Sequence, residues 1–276
     1  MKISIFTHFH NFLKRFTRSY NLMKKAYIKF LDTIVVRLFI SRERAIISCF
    51  NTKAHPSEDL IATAIRCAYD AMKPTPERVI ANYFQGFILL GELASKNENK
   101  GLRWVTFPER AIITPESAHI PKRVREYTKS SKFEIKRNEN FEEVVRRCQR
   151  EERTWINKEI IDIYTTLFSM GFAHSVEIYQ GQELVGGLWG LVVGRTFALM
   201  SMFHSVKNSG AISMGILVSS LETGQFRIVD CGKMNNNFVR YGAYAVPREE
   251  FISKVARELV PIDTMNCFKQ AKWLRN

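Results

Sequence analysis

The stretch from Ala173 to Met202 constrains the fold most. His174 to Tyr179 and Leu184 to Val193 are apolar runs separated by Gln180-Gly181-Gln182, and Gly194-Arg195 leads into a third run, Thr196 to Met202. Apolar runs of strand length, punctuated by short turns that contain glycine, predict an antiparallel meander. Two helical segments precede it: Phe141 to Arg150 with Asn140 as cap, and Glu159 to Met170 ended by Gly171. A helix over about 209–222, a strand from Phe226 to Asp230 and a closing helix from Arg248 to Glu258 follow. Helices flanking a meander, then a further helix and strand, give an α+β order.

The first half reads differently. Over residues 1–31 there are seven Lys or Arg and no acid, and Ile5, Phe9, Phe12, Phe16, Tyr20, Met23, Tyr27 and Phe30 fall three or four apart. That spacing predicts a basic amphipathic helix, suited to an anionic membrane surface, to a nucleic-acid backbone, or to packing on the protein's own core. The same composition also fits an organelle transit peptide. Residues 32–52 include a strand, and Ser57 to Met72 is a helix capped by Ser57. Lys73-Pro74-Thr75-Pro76 breaks the chain, and Thr75 then caps a short helix from Pro76 to Phe84. Leu102 to Val105 and Ala111 to Thr114 read as strands beyond the polar loop 95–101. The expected organisation is a basic extension (1–52), a small N-terminal domain (53–115), a larger sheet domain (116–262) and a tail (263–276).

Charge narrows the partners. Lys plus Arg number 41 against 27 Asp plus Glu, a formal charge of +14, which favours a polyanion such as nucleic acid or an anionic membrane. Five scattered cysteines without a CxxC pair fit a reducing compartment, and a cytoplasmic location is expected. The longest apolar run, Thr33 to Ile40, is interrupted by Arg37 and is too short to span a membrane. No P-loop, GxSxG or HExxH motif is present, and no metal site is expected. His174, at the head of a strand, reads as a structural hydrogen-bonding residue.

Several short strings lie in a fixed order. Thr75-Pro76-Glu77-Arg78 precedes Tyr83-Phe84-Gln85-Gly86; Arg103-Trp104 precedes Pro108-Glu109-Arg110-Ala111; then come Pro115-Glu116-Ser117-Ala118-His119-Ile120, Thr154-Trp155-Ile156, Ala173-His174-Ser175-Val176-Glu177, Leu184-Val185-Gly186-Gly187, Ser201-Met202-Phe203 and Val229-Asp230-Cys231. By their number, order and spacing, these strings resemble the leucyl/phenylalanyl-tRNA–protein transferases over roughly 74–260. The resemblance implies a mixed sheet of the N-acetyltransferase type with flanking helices. It implies transfer of a Leu- or Phe-like amino acid from aminoacyl-tRNA, as co-substrate with no other cofactor, to the N-terminal amine of a protein or peptide. A monomer is expected.

The resemblance also assigns roles. Trp155 takes the position on which the terminal adenosine of the tRNA stacks, a task suited to an indole face. Lys122, Arg123 and Arg125 take the basic cluster that contacts the acceptor stem, where positive charge matters more than identity. Leu188, Phe197, Met202, Leu217, Leu221 and Val229 take the apolar pocket for the transferred side chain; such residues serve equally as ordinary core. Asp230 takes the catalytic carboxylate that supports deprotonation of the attacking α-amine, whose ordinary pKa is about 7.7–8.0. On that reading Asp230→Asn abolishes transfer and spares tRNA binding.

The chain departs from the family pattern at chosen places. A Glu before Ser-Met-Phe is Met200 here, the Gln of Asp-Cys-Gln is Gly232, the Pro-Trp after Gly-Ile-Phe is Leu89-Leu90, and Asn-Ala-Ser-Lys is Asn208-Ser209-Gly210-Ala211. The missing Glu and Gln belong to the side that receives a basic N-terminal residue; a Met offers no partner to Arg or Lys, and a Gly has no side chain. Met200 and Gly232 therefore mark an altered acceptor site. Two other readings stay open. One is a coenzyme-A-dependent N-acyltransferase, with Lys207 to Ala211 as an anion-binding loop before a helix. The other is a non-catalytic RNA- or membrane-binding relative of the same fold.

Overall fold

The computed structural model describes residues 74–94, 101–129 and 132–259, all within one compact unit of the chain. The expectations for residues 1–73 and 260–276, the basic amphipathic helix among them, lie outside the described residues.

The meander is present: β5 (Ala173–Gln180), β6 (Glu183–Val193) and β7 (Thr196–His204) pair antiparallel in sequence. Their turns fall on Gly181 and Gly194, both with positive φ. The helices ahead of it are α3 (Phe141–Arg147) and α4 (Lys158–Ser169), and those after it are α5 (Ser209–Glu222), the single-turn α6 (Asn236–Val239) and α7 (Arg248–Arg257). Helix α1 (Pro76–Tyr83) starts as expected: the Thr75 hydroxyl accepts from Arg78 N–H, and Pro76 sits in the first turn. The basic segment after residue 118 folds into α2 (Lys122–Thr128) and β4 (Glu134–Arg137), neither of which the hydrophobic pattern predicts.

One cap differs from expectation. Asn140 makes no side-chain capping bond to α3. Instead the buried Glu177 carboxylate, reaching across from β5, accepts the N–H groups of Glu139 and Asn140 just ahead of the helix. A carboxylate at this end also suits the helix dipole.

A seven-stranded sheet runs in the order β4-β5-β6-β7-β8-β3-β9, with β3 at Glu109–Ile113, β8 at Ile228–Gly232 and β9 at Tyr244–Pro247. β1 (Ile88–Gly91) and β2 (Leu102–Val105) form a separate antiparallel pair. Strand β3, far upstream in sequence, inserts between β8 and β9, so residues 109–113 work with the strands beyond 116 rather than with the segment before them.

Side chains alternate between two cores. One face packs α2 and α5 over Val176, Ile178, Leu188, Phe197 and Val229; the other packs α1, α3, α4 and α7 over Trp189, Leu191, Ala198 and Ile228. This is the mixed sheet with flanking helices expected from the sequence. Helix α5 is buried along nearly its whole length because it crosses from β7 to β8 and makes their pairing parallel.

That parallel pairing is short. It holds Thr196↔Ile228, Phe197↔Val229 and Ala198↔Asp230, and goes no further. Just past it the β6–β7 register slips, since Trp189 faces Ser201 while Gly190 faces Leu199, which leaves Met200 as the extra residue of a bulge. A bulge bends its strand and sharpens the local twist. β7 thus swings off β8, which keeps its pairing with β3 on the opposite edge from Val229 out to Ala111↔Gly232. Burial follows the split: β7 is buried on both faces from Thr196 to Leu199 and half-exposed on both from Met200 to Phe203.

Candidate functional site

Three of the residues singled out in the sequence, Met200, Gly232 and Asp230, lie where β7 and β8 part. Met200 lies on one lip, at the bulge, and Gly232 lies on the other, two residues past Asp230. Met200 packs on the α4 side of the sheet, where the Tyr164 hydroxyl donates to its sulfur at 3.8 Å. Gly232 has φ +71°, and a Cβ built there meets no atom within 4 Å, so open space stands where a longer side chain would project. Neither lip carries an acid: none occurs from Leu199 to Lys207 or from Cys231 to Arg248.

Asp230 sits at the apex, 1% exposed. Arg110, itself fully buried, donates through Nε to Oδ1 at 3.2 Å and through Nη2 to Oδ2. Tyr83 Oη donates to Oδ2 at 2.8 Å, and Gly232 N–H donates to Oδ1 at 2.9 Å. Four donors fill the two oxygens, about the full capacity of a carboxylate. The remaining guanidinium nitrogen, Nη1, reaches Gly86 O at 3.3 Å, and the guanidinium lies 4.6 Å from the Phe251 ring centroid. Burial opposes the Arg110 charge, but Asp230 beside it more than offsets this and the net direction is upward. Burial, reinforced by the Asp230 charge, pushes the Tyr83 phenol well up, so it stays a donor. Sequence reasoning passed over both partners. The available signal was an arginine heading the apolar run Ala111-Ile112-Ile113.

Trp155 lies half-buried in the loop before α4, its ring centroid 6.0 Å from that of Trp189. Trp189 is fully buried between Phe141 and Tyr164 and gives Trp155 a fixed back wall. Gly91 N–H bonds Trp155 O at 3.0 Å, and a Cβ at Gly91 would overlap that same oxygen, so only glycine lets β1 approach this closely. Trp155 and Met200 share one side of the sheet. The six apolar positions share the other. Leu188, Phe197, Leu217, Leu221 and Val229 are buried together, and Met202 forms their half-exposed rim.

Lys122 and Arg123 are exposed on the first turn of α2. Arg125 is engaged differently: its guanidinium pairs with Glu222 of α5 at 2.9 Å and reaches Ile120 O at 3.4 Å. The structure therefore presents two of the three predicted basic residues outward and ties the third to the fold. Ser209, in the candidate anion loop, spends its hydroxyl on Val185 O and Val206 O, both at 2.8 Å.

Both described cysteines, Cys148 and Cys231, are buried, which disfavours the thiolate. Burial pushes Cys148 up to about 12 and Cys231 up as well. His174 is structural: it bonds Gly171 O through Nε2 at 2.9 Å and Asn138 Nδ2 through Nδ1 at 3.1 Å, which fixes a neutral ring with its proton on Nε2. Burial lowers its pKa. Among the described residues no His, Cys, Asp and Glu cluster suits a metal, and no helix is long and apolar enough to cross a membrane.

The family model described as leucyl/phenylalanyl-tRNA protein transferase matches residues 112–256. A leucyl/phenylalanyl-tRNA–protein transferase of Paramagnetospirillum magneticum is 34% identical over 193 residues, covering 68% of this chain and 91% of the relative. One from Anaeromyxobacter sp. strain K is 31% identical over 189 residues, covering 67% and 79%. Among solved structures, a GCN5-related N-acetyltransferase from Kribbella flavida aligns over 70% of this chain and 73% of its own at 8% identity, with a TM-score of 0.34. Over the region that holds the sheet, the apex and both lips, this chain belongs to the leucyl/phenylalanyl-tRNA–protein transferase family.

Proposed function

We propose that this protein transfers a Leu- or Phe-like amino acid from aminoacyl-tRNA to the N-terminal amine of a polypeptide, and that its acceptor preference has moved away from basic N-termini. One observation carries the second half of this reading. Two of the family positions that differ, Met200 and Gly232, each lie two residues past the last β7–β8 pair, Ala198↔Asp230, one on each strand, and no acid lies on either lip. Asp230 is the one carboxylate at the apex, and Arg110, Tyr83 and Gly232 already occupy it. An incoming Arg or Lys would lose water and gain no counter-charge, which is costly.

The arrangement suggests a division of labour. The adenosine stacks on Trp155 on one side of the sheet, the aminoacyl side chain enters past Met202 on the other, and the ester lies in the gap between the lips. The neutral amine attacks the ester carbonyl, the bond to the tRNA's terminal ribose oxygen breaks, and that oxygen leaves as a hydroxyl carrying the proton the amine gives up. The ester is already activated, so holding it beside the amine supplies much of the acceleration. Asp230 serves this reaction by fixing the far lip through Gly232 N–H rather than by taking a proton. Lys122 and Arg123 supply phosphate contacts.

The test uses the full chain, charged tRNA and a peptide library, read by mass spectrometry. Transfer to neutral or apolar N-termini, with Arg and Lys poor, is the expected result. Met200→Glu should move acceptance toward Arg and Lys. Gly232→Gln adds less, because its φ of +71° burdens any L side chain by roughly 1–2 kcal/mol. Robust wild-type modification of Arg-initiated peptides would overturn the altered-acceptor reading.

A further inference from the structure

The open half of β7 is a strand edge inside a sheet. Beyond Ala198 it pairs, among the described residues, only with β6, although it continues to His204. Its other side faces the gap that opens past Ala198↔Asp230, where β8 stays with β3 on its far edge and no longer pairs with β7. The half-exposure of Met200 to Phe203, on both faces at once, marks missing sheet on that side rather than a missing helix above or below. Unpaired strand edges are templates for another strand.

Resting on the transfer reading above, we infer that the acceptor polypeptide docks by inserting its N-terminal residues as a strand along β7, in the place that β8 vacates. Direction follows from the topology. The reacting amine must lie at the apex, beside Asp230, and the rest of the acceptor must leave toward solvent. Its chain therefore runs from apex to rim, parallel to β7. Six residues of β7, Leu199 to His204, give an edge of about 20 Å, enough for roughly five acceptor residues. Main-chain pairing supplies affinity without regard to acceptor sequence, which suits a transferase that must accept many proteins. Selectivity then falls to the few side chains that touch the lips, Met200 first among them.

A parallel ladder engages alternate residues of each strand. The test is an ester scan of a good acceptor peptide, each backbone N–H from the second to the sixth residue replaced in turn by oxygen. Transfer efficiency should fall by roughly three- to tenfold at every other position and stay near the parent value between them. Hydrogen exchange on the wild-type protein gives a readout independent of turnover. Unmodified peptide should slow exchange in Met200–His204, and charged tRNA alone should not. A flat scan with efficient transfer overturns strand insertion and leaves the transfer reading intact. Slowed exchange without any transfer does the reverse. Equal slowing by charged tRNA alone would assign the edge to the RNA end and overturn the proposal.

Discussion

The two halves of β7 make opposite use of the same strand. From Thr196 to Ala198 it is locked between β6 and β8 and buried on both faces; from Met200 to Phe203 it keeps β6 and is half-exposed on both. The closed half ends beside Asp230 of β8, a carboxylate that four donors saturate. The open half leaves a backbone edge and two half-buried sulfur side chains, Met200 packed against one core and Met202 against the other. Rigidity is concentrated one residue pair away from accessibility, and a single bulge separates them. A site that must hold one substrate still while admitting many others needs both.

The largest way to break this contrast is at the apex. Asp230→Asn leaves the Arg110 charge buried without its partner, and unfolding in urea should show a loss of about 3–5 kcal/mol. The simple expectation that this variant keeps tRNA binding and loses only transfer is therefore revised: it weakens the fold first. Arg110→Met combined with Asp230→Leu should recover most of the stability while transfer stays low, because Gly232 N–H loses its anchor.

Beside the open half, Trp155→Ala should weaken binding of intact charged tRNA by about 1–3 kcal/mol, while tRNA lacking its last nucleotide distinguishes wild type from variant little. Equal losses on both RNAs would mean that Trp155 serves only as a cover for Trp189. Further out, Lys122→Glu with Arg123→Glu should flatten the salt dependence of binding by roughly 0.9 in slope for each phosphate that is no longer neutralised, measured by filter binding. Arg125→Ala should change that slope less, since its guanidinium is held by Glu222.

The smallest expected effect lies at the start of the meander, one strand removed from β7 across β6. His174 has its pKa lowered by burial, so at pH just below about 6.5 the unfolded chain binds a proton that the folded chain refuses. Stability should be flat above that pH and fall as pH drops toward the folded value, at no more than about 1.4 kcal/mol for each pH unit. His174→Gln should remove this limb from a series of denaturation curves.

Much of this was legible in the chain. The meander declared itself through apolar runs and turn glycines, and α5 through its length. The four-residue β2 was legible beside its polar loop, but β1, β4 and β9, equally short, imprint no period of their own, and α2 was hidden in a run read only as charge. The place of β3 between β8 and β9 is a non-local choice that no local pattern encodes. At the site, the resemblance picked out Trp155, Asp230, Met200 and Gly232. It did not pick out Arg110 as the ion that saturates Asp230, because among 41 Lys and Arg nothing local marks the one that will be buried. That Met200 is the bulged residue depends on a register slip visible only when β6 and β7 are paired.

The insertion of β3 has a consequence for how the chain comes into being. Arg110 meets its counter-ion 120 residues later, and β3 gains neither of its neighbours until β8 and β9 exist. At ordinary translation rates of about 5–20 residues per second, that leaves roughly 6–24 s in which a cationic, apolar strand waits unpaired. The sheet then closes through pairings of very long sequence separation, the slow kind. A nascent chain of this protein is thus most exposed to mispairing and aggregation late in synthesis, and slower translation of the last third would lengthen the hazard.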